Sequence, residues 1–138
     1  MRVYPLGTPF HGEFGSADAS ALTEANSRFT LYAGYSTSAL TLTSTDIVIV
    51  TDILVAVGAT ALVVWVYDGA NNVVDAGELV AKFDLTAHTP GAWQTQSGHF
   101  CQQQGAGGAG VPYPKVKTSG AGQVDVTIRG FIYTHPGT

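Results

Sequence analysis

Residues 45–68, TDIVIVTDILVAVGATALVVWVYD, constrain the fold more than any other stretch. They hold two β-rich runs, 46–57 and 61–67, split by Gly58, Ala59 and Thr60. Ile, Val, Trp and Tyr dominate, and these residues suit a pleated, packed surface. In the first run the odd positions are Ile47, Ile49, Thr51, Ile53, Val55 and Val57, and the even ones include Val48, Val50, Leu54 and Ala56. In the second, Val63, Trp65 and Tyr67 point one way, and Leu62, Val64 and Val66 the other. A strand with one wet face alternates apolar and polar residues. Neither run does so cleanly. Either both are central strands buried on two faces, or their outer face meets another subunit.

Further strand signals flank this pair. Residues 28–33 place Phe29 and Leu31 on one side, and residues 39–43 place Leu40 and Leu42 inside with Thr41 and Thr43 outside. Residues 68–72, DGANN, form a turn by composition. Residues 79–85 alternate cleanly, Leu79, Ala81, Phe83 and Leu85 against Val80, Lys82 and Asp84. Residues 92–101 suggest one or two short strands broken at Gly98. Residues 102–110, QQQGAGGAG, are low-complexity and read as a loop tip. Pro112 and Pro114 bar residues 111–117 from a sheet centre. A last strand spans 123–134, with Val124, Val126 and Ile128 inward and a bulge at Gly130 that hands the inner face to Phe131 and Tyr133. Seven to nine short strands with almost no helix indicate an all-β chain, a single β-sandwich of jelly-roll-like form rather than an immunoglobulin type.

The first 26 residues carry no clear period. Residues 17–25, ADASALTEA, offer one or two turns of helix, with Ser16 or Asp18 as cap. The expectation is an extended N-terminal arm over residues 1–26, anchored by Val3, Tyr4, Leu6, Phe10 and Phe14, ahead of a sandwich domain over 27–138. Pro5, Gly7, Pro9 and Gly12 interrupt this segment, so it does not read as a secretory signal. No run approaches the twenty or so apolar residues of a membrane-spanning helix. The sequence therefore predicts a protein made in the cytoplasm that stays soluble there or leaves by a route other than general secretion, such as a particle released by lysis, and no membrane partner.

Charged residues make up 12% of the 138 residues, against about 25% in a typical domain. So little surface charge points to a surface covered by other protein. The net charge of −4 argues against a nucleic-acid partner, which needs a basic footprint. Cys101 is the single cysteine, which rules out an internal disulfide.

The order TDIVIVTDILVAVGATALVVWVYDG, ELVAKFDL, a Gly-bearing stretch and GQVDVTIRGFIY resembles small β-sandwich structural proteins of tailed bacteriophages, in particular head decoration or cement proteins. The resemblance covers residues 45–134. It implies a trimeric jelly-roll clamp on the outside of an icosahedral head, with the major capsid protein as partner and extended arms on the shell.

Chemistry is poorly represented. Ser97, His99 and an Asp could be assembled into a triad, but no GxSxG elbow is present. His11, His88, His99 and His135 are spread along the chain, without HxH or HExxH spacing, so no zinc site is expected. Asp68, Asn71, Asn72, Asp75 and Glu78 have the oxygens for calcium but not an EF-hand spacing, and turn formation accounts for them. No catalytic residue, metal or cofactor is assigned. The interface candidates are Phe10, Phe14, Val48, Val50, Val64 and Val66. The alternative is a carbohydrate- or receptor-binding module of a fibre or tail, with Trp65, Trp93, Tyr32, Tyr35 and Tyr113 available to stack on sugars.

Overall fold

The computed structural model describes residues 7–22, 25–34, 36–43, 46–67, 79–86, 93–104 and 113–134, and for 25, 79, 80, 93–104 and 134 the backbone alone. In chain order the strands are β1 (Thr8–Ser16), β2 (Thr30–Ala33), β3 (Asp46–Val57), β4 (Val63–Tyr67), β5 (Leu79–Asp84), β6 (Trp93–Gln104), β7 (Lys115–Thr118) and β8 (Val124–Thr134). The chain is all-β, with two antiparallel sheets that form a β-sandwich. One sheet has five strands in the order β2-β1-β8-β3-β6, and the other has three in the order β5-β4-β7.

The pairing is nested. β1 pairs with β8, β3 with β6 and β4 with β5. Arg28, two residues ahead of β2, bridges to Lys115 at the start of β7, and the Phe29 amide donates to the Pro114 carbonyl at 3.1 Å. This is the connectivity of one long hairpin rolled up on itself. The β2 segment therefore touches β7 of the small sheet first and then joins β1 in the large one.

The 45–68 stretch supplies β3 and β4, but they do not pair with each other. They lie in opposite sheets, joined by a short link in which the Gly58 amide donates to the Gln123 carbonyl at 2.9 Å. The blurred alternation of β3 has a simple cause. Up to Val50 the even positions Val48 and Val50 are buried, and from Ile53 onward the odd positions Ile53, Val55 and Val57 are. The register with β8 shifts between Val50 and Asp52, which leaves Thr51 as an extra residue. One added residue swaps the faces of a strand.

β8 keeps its phase throughout. Val124, Val126, Ile128, Gly130 and Ile132 face in, while Phe131 stays 40% exposed. The bulge expected at Gly130 is on the facing strand, at Thr51, so Phe131 and Tyr133 do not take the inner face. Gly130 is required for a different reason. A Cβ there would sit 1.8 Å from the Ile49 carbonyl oxygen, far inside van der Waals contact.

The expected arm is not an arm across residues 8–16. β1 is a full strand of the large sheet, paired with β8 from Thr8↔Ile132 to Ser16↔Val124 and with β2 on its other side. Phe10 and Phe14 are core residues, and the Phe14 ring packs at 6.0 Å and 58° against Phe29. Period-two placement explains this: Phe10, Gly12 and Phe14 face in, while His11 and Glu13 face out. Residues 1–6 lie outside the described residues.

Other local expectations shift modestly. Residues 17–22 make bends rather than helix, and a single 3-10 turn covers Ala25–Ser27. Residues 39–43 contribute one bridge, Tyr32↔Ala39, and a buried Leu42, not a strand. β6 is one strand from Trp93 to Gln104, irregular opposite Thr51 rather than ended at Gly98. The turn read at 68–72 and most of the loop at 102–110 lie outside the described residues.

The core runs between the sheets. Val48, Val50, Ile53, Val55, Val126 and Ile128 meet Val64, Val66, Phe83 and Val116, all at 1% exposure or less. Each such side chain contributes about 1.5–3 kcal/mol on burial. Among the described residues, no buried side-chain nitrogen or oxygen lacks a hydrogen-bond partner.

Candidate functional site

With the inner faces used for the core, the two outward faces are the broad surfaces that the described strands present. On the large sheet, adjacent strands align residues in rungs. Pro9, Phe131 and Ile49 form one rung across β1, β8 and β3, and Tyr133 opposite Ile47 forms the next. Phe131 at 40% and Leu54 at 42% are the exposed large hydrophobics among the described residues, and Ile47, Ile49 and Tyr133 are half-buried. A polar rung crosses the middle: His11, Arg129 and Asp52. The Thr51 hydroxyl lies 3.0 Å from Asp52 Oδ2 and 3.2 Å from the Arg129 carbonyl, and so ties the bulge to β8. His11 Nδ1 donates to the Gly34 carbonyl at 2.8 Å, and its ring stacks on Tyr32 with centroids 5.0 Å apart. That pair is held in place at the sheet's β2 edge.

The outward face of the small sheet differs. Trp65 stands at its centre, half-buried, with Lys82 opposite on β5 and Lys117 opposite on β7. Tyr67 is on the same face of β4, and Lys115 opposite it is completely buried.

A connector links the two regions. The Tyr113 hydroxyl accepts from the Leu42 amide at 2.9 Å and lies 3.3 Å from the Leu40 carbonyl. The Arg28 guanidinium sits 5.2 Å above the Tyr113 ring. Asp18, half-buried, accepts from the Ser20 hydroxyl and from its amide, and these bonds hold its carboxyl below the usual carboxylate range.

The six interface candidates are all interior. Phe10 and Phe14 are buried in the large sheet, and Val48, Val50, Val64 and Val66 are at 0% exposure. They serve the chain's own core and are closed to a partner in this fold. The apolar residues that remain outward are their strand neighbours, Ile47 and Ile49 before the bulge and Leu54 after it. Sequence reading missed Phe131 because the bulge was placed on the wrong strand. A strict period of two from Val124 onward marks Phe131 as outward.

The aromatics considered for sugar stacking do not converge. Tyr32 is in the large sheet against His11, Tyr113 is engaged with residues 40–42, and Trp65 is on the small sheet. Tyr35, the Trp93 side chain, the side chains of Ser97, His99 and Cys101, and all five oxygen-bearing residues between 68 and 78 lie outside what is described. Among the described residues, no three His, Cys, Asp or Glu side chains come together as metal ligands would. No described helix is long and apolar enough to cross a membrane.

The fold thus defines a class, a two-sheet antiparallel β-sandwich with two outward faces of contrasting chemistry. No family model matches the chain, and no curated protein matches it. Among solved structures it is similar to one described as the cyanophage Pam1 capsid asymmetric unit, at 12% identity and a TM-score of 0.40, over 99% of this chain and 91% of that one.

Proposed function

We propose that this protein is a non-enzymatic structural component of a virion, a decoration or cement protein that binds the outside of an assembled phage head as a homotrimer and stabilises it. The nested pairing of the eight strands favours the jelly-roll form of the sandwich, built as a double-sheet roll. The observation that carries the reading is the outward face of the large sheet. It keeps Phe131, Leu54, Ile47, Ile49 and Tyr133 on one surface of a chain with only 12% charged residues. Apolar patches rimmed by polar residues mark association surfaces. A trimer buries such a face once per subunit, and the major capsid protein is the second partner.

A protein of this kind works by buried area. Binding the closed shell better than the open one shifts the equilibrium toward the closed shell. Three sites engaged together make weak contacts tight. The test is to strip the protein from particles, measure their rupture on heating, and add it back. Re-addition should restore the rupture temperature, and Phe131→Ser with Leu54→Ser should not restore it. Rebinding should fall little between low and moderate salt, because the contact is apolar. A stable monomer at micromolar concentration, with rupture unaffected by add-back, overturns the reading.

A further inference from the structure

Trp65 lies on the central strand of the small sheet, with Lys82 and Lys117 as its direct partners on either side. Directly opposed residues of antiparallel strands have Cβ atoms about 4.5–5.5 Å apart, so a cationic side chain is rooted on each flank of the indole. Tyr67 follows on the same face two residues on, about 7 Å along the strand. The chain has a net charge of −4, yet its lysines, Lys82, Lys115 and Lys117, all belong to this sheet. Among the described residues, the carboxylate on this face is Asp84, opposite Val63, with its Oδ1 taken by the Thr86 amide at 3.1 Å and the Thr86 hydroxyl. Lys117 and Asp84 also have further partners within the chain, so a ligand at Lys117 exchanges one partner for another. Lys82 is exposed.

We propose that Trp65, Lys82 and Lys117 form a binding site for an acidic saccharide. The apolar face of a pyranose ring lies on the indole, and its carboxylate reaches a flanking ammonium. An aromatic face is attracted to positively polarised C–H groups by its quadrupole, and the lysines add the charge term. An acidic peptide fits less well, because peptides dock on sheets by pairing with an edge strand, here β5 or β7, and not over the central β4 that carries Trp65. A nucleic acid needs a broader basic footprint than two lysines. The site is independent of the capsid reading and stands or falls separately from it.

Trigalacturonic acid titrated into the intact protein, with the indole N–H resonances followed by NMR, is the direct test. Saturable binding with a Kd of about 1 mM is expected. Lys82→Gln should weaken it about two- to fivefold, the range for a solvent-exposed charge. Trp65→Leu, with an unchanged melting temperature as the check on folding, should weaken it up to about tenfold. Neutral galactotriose should bind at least about fivefold more weakly. The proposal fails if no resonance saturates, or if the neutral sugar binds as well. It fails also if oligoglutamate or a single-stranded oligonucleotide binds equally tightly, since charge alone then accounts for the effect.

Discussion

The two sheets present opposite outward faces. The large one carries an apolar row, with Glu13, Asp52 and Asp125 set against Arg129. The small one carries lysines around an indole, with Asp84 at one end. Their inner faces are alike in kind, the small one centred on Val64, Val66, Phe83 and Val116 and the large one on Val, Ile and Phe. The core sets which residues are hidden, and the outward residues set what the chain associates with. The large sheet also depends on closer backbone packing. Its central strands β3 and β8 meet at a bulge opposite a glycine, Gly130, whereas Gly120, beside the small sheet, has room.

The sharpest break in this comparison is at those glycines. Gly130→Ala puts a Cβ 1.8 Å from the Ile49 carbonyl, while Gly120→Ala meets nothing nearer than Leu62 Cδ2 at 4.0 Å. Urea unfolding should show a loss of more than about 4 kcal/mol for the first and within about 0.5 kcal/mol for the second. Equal effects would mean that β3 and β8 do not approach as described. Next comes Phe10→Ala, expected to cost about 3–5 kcal/mol as a core truncation. A loss under about 0.5 kcal/mol would restore the picture of a loose arm.

Phe131→Ser should change stability by no more than about 0.5–1 kcal/mol, because the ring is outward, yet it should weaken self-association measured by sedimentation. A large loss of stability with association unchanged would place Phe131 in the core. The smallest effect belongs to Asp18, at the crossing from β1 toward the small sheet. Its carboxyl is held below its ordinary value by the Ser20 hydroxyl and amide, so its folded pKa is lower than its unfolded one. The stabilisation is present above the unfolded pKa and fades as pH falls through the folded one. A melting-temperature series from neutral to strongly acid pH should show Asp18→Asn converging with the parent at the acid end. A difference that grows instead toward acid pH reverses the sign and removes the Ser20 explanation.

Much of this architecture is legible from the residues. The runs that become β3, β4, β5 and β8 stand out through β-branched content, and Pro112 and Pro114 correctly keep β7 at an edge. β1 is obscured by Pro9, Gly12 and Gly15, which look like breakers. Gly12 is instead an inner-face position with no room for a side chain, since a Cβ would lie 2.6 Å from Leu31 Cδ2. The bulge at Thr51 leaves no local mark, because Thr and Asp suit either phase of a strand. It depends on how β8 lies alongside, and that is a long-range property. The outward faces followed from the same error. Once β3 is given one phase, Val48 and Val50 look like surface residues and Phe131 looks like core.

The nested pairing has a consequence for how the chain is made. β1 is synthesised first of the eight strands and β8 last, yet Thr8 lies opposite Ile132. The separation of 132 − 8 = 124 residues takes about 6–25 s to translate at about 5–20 residues per second. Through that interval β1, with Phe10 and Phe14, has only the short β2 as a partner, and β3 has an open edge on the side that β8 will fill. A nascent chain halted before Val124 therefore displays its most apolar strand with one edge open even once β6 has paired with the other, the kind of segment that chaperones hold and that neighbouring nascent chains join. Synonymous changes that slow translation between β3 and β8 should reduce soluble yield more than the same changes placed before β3.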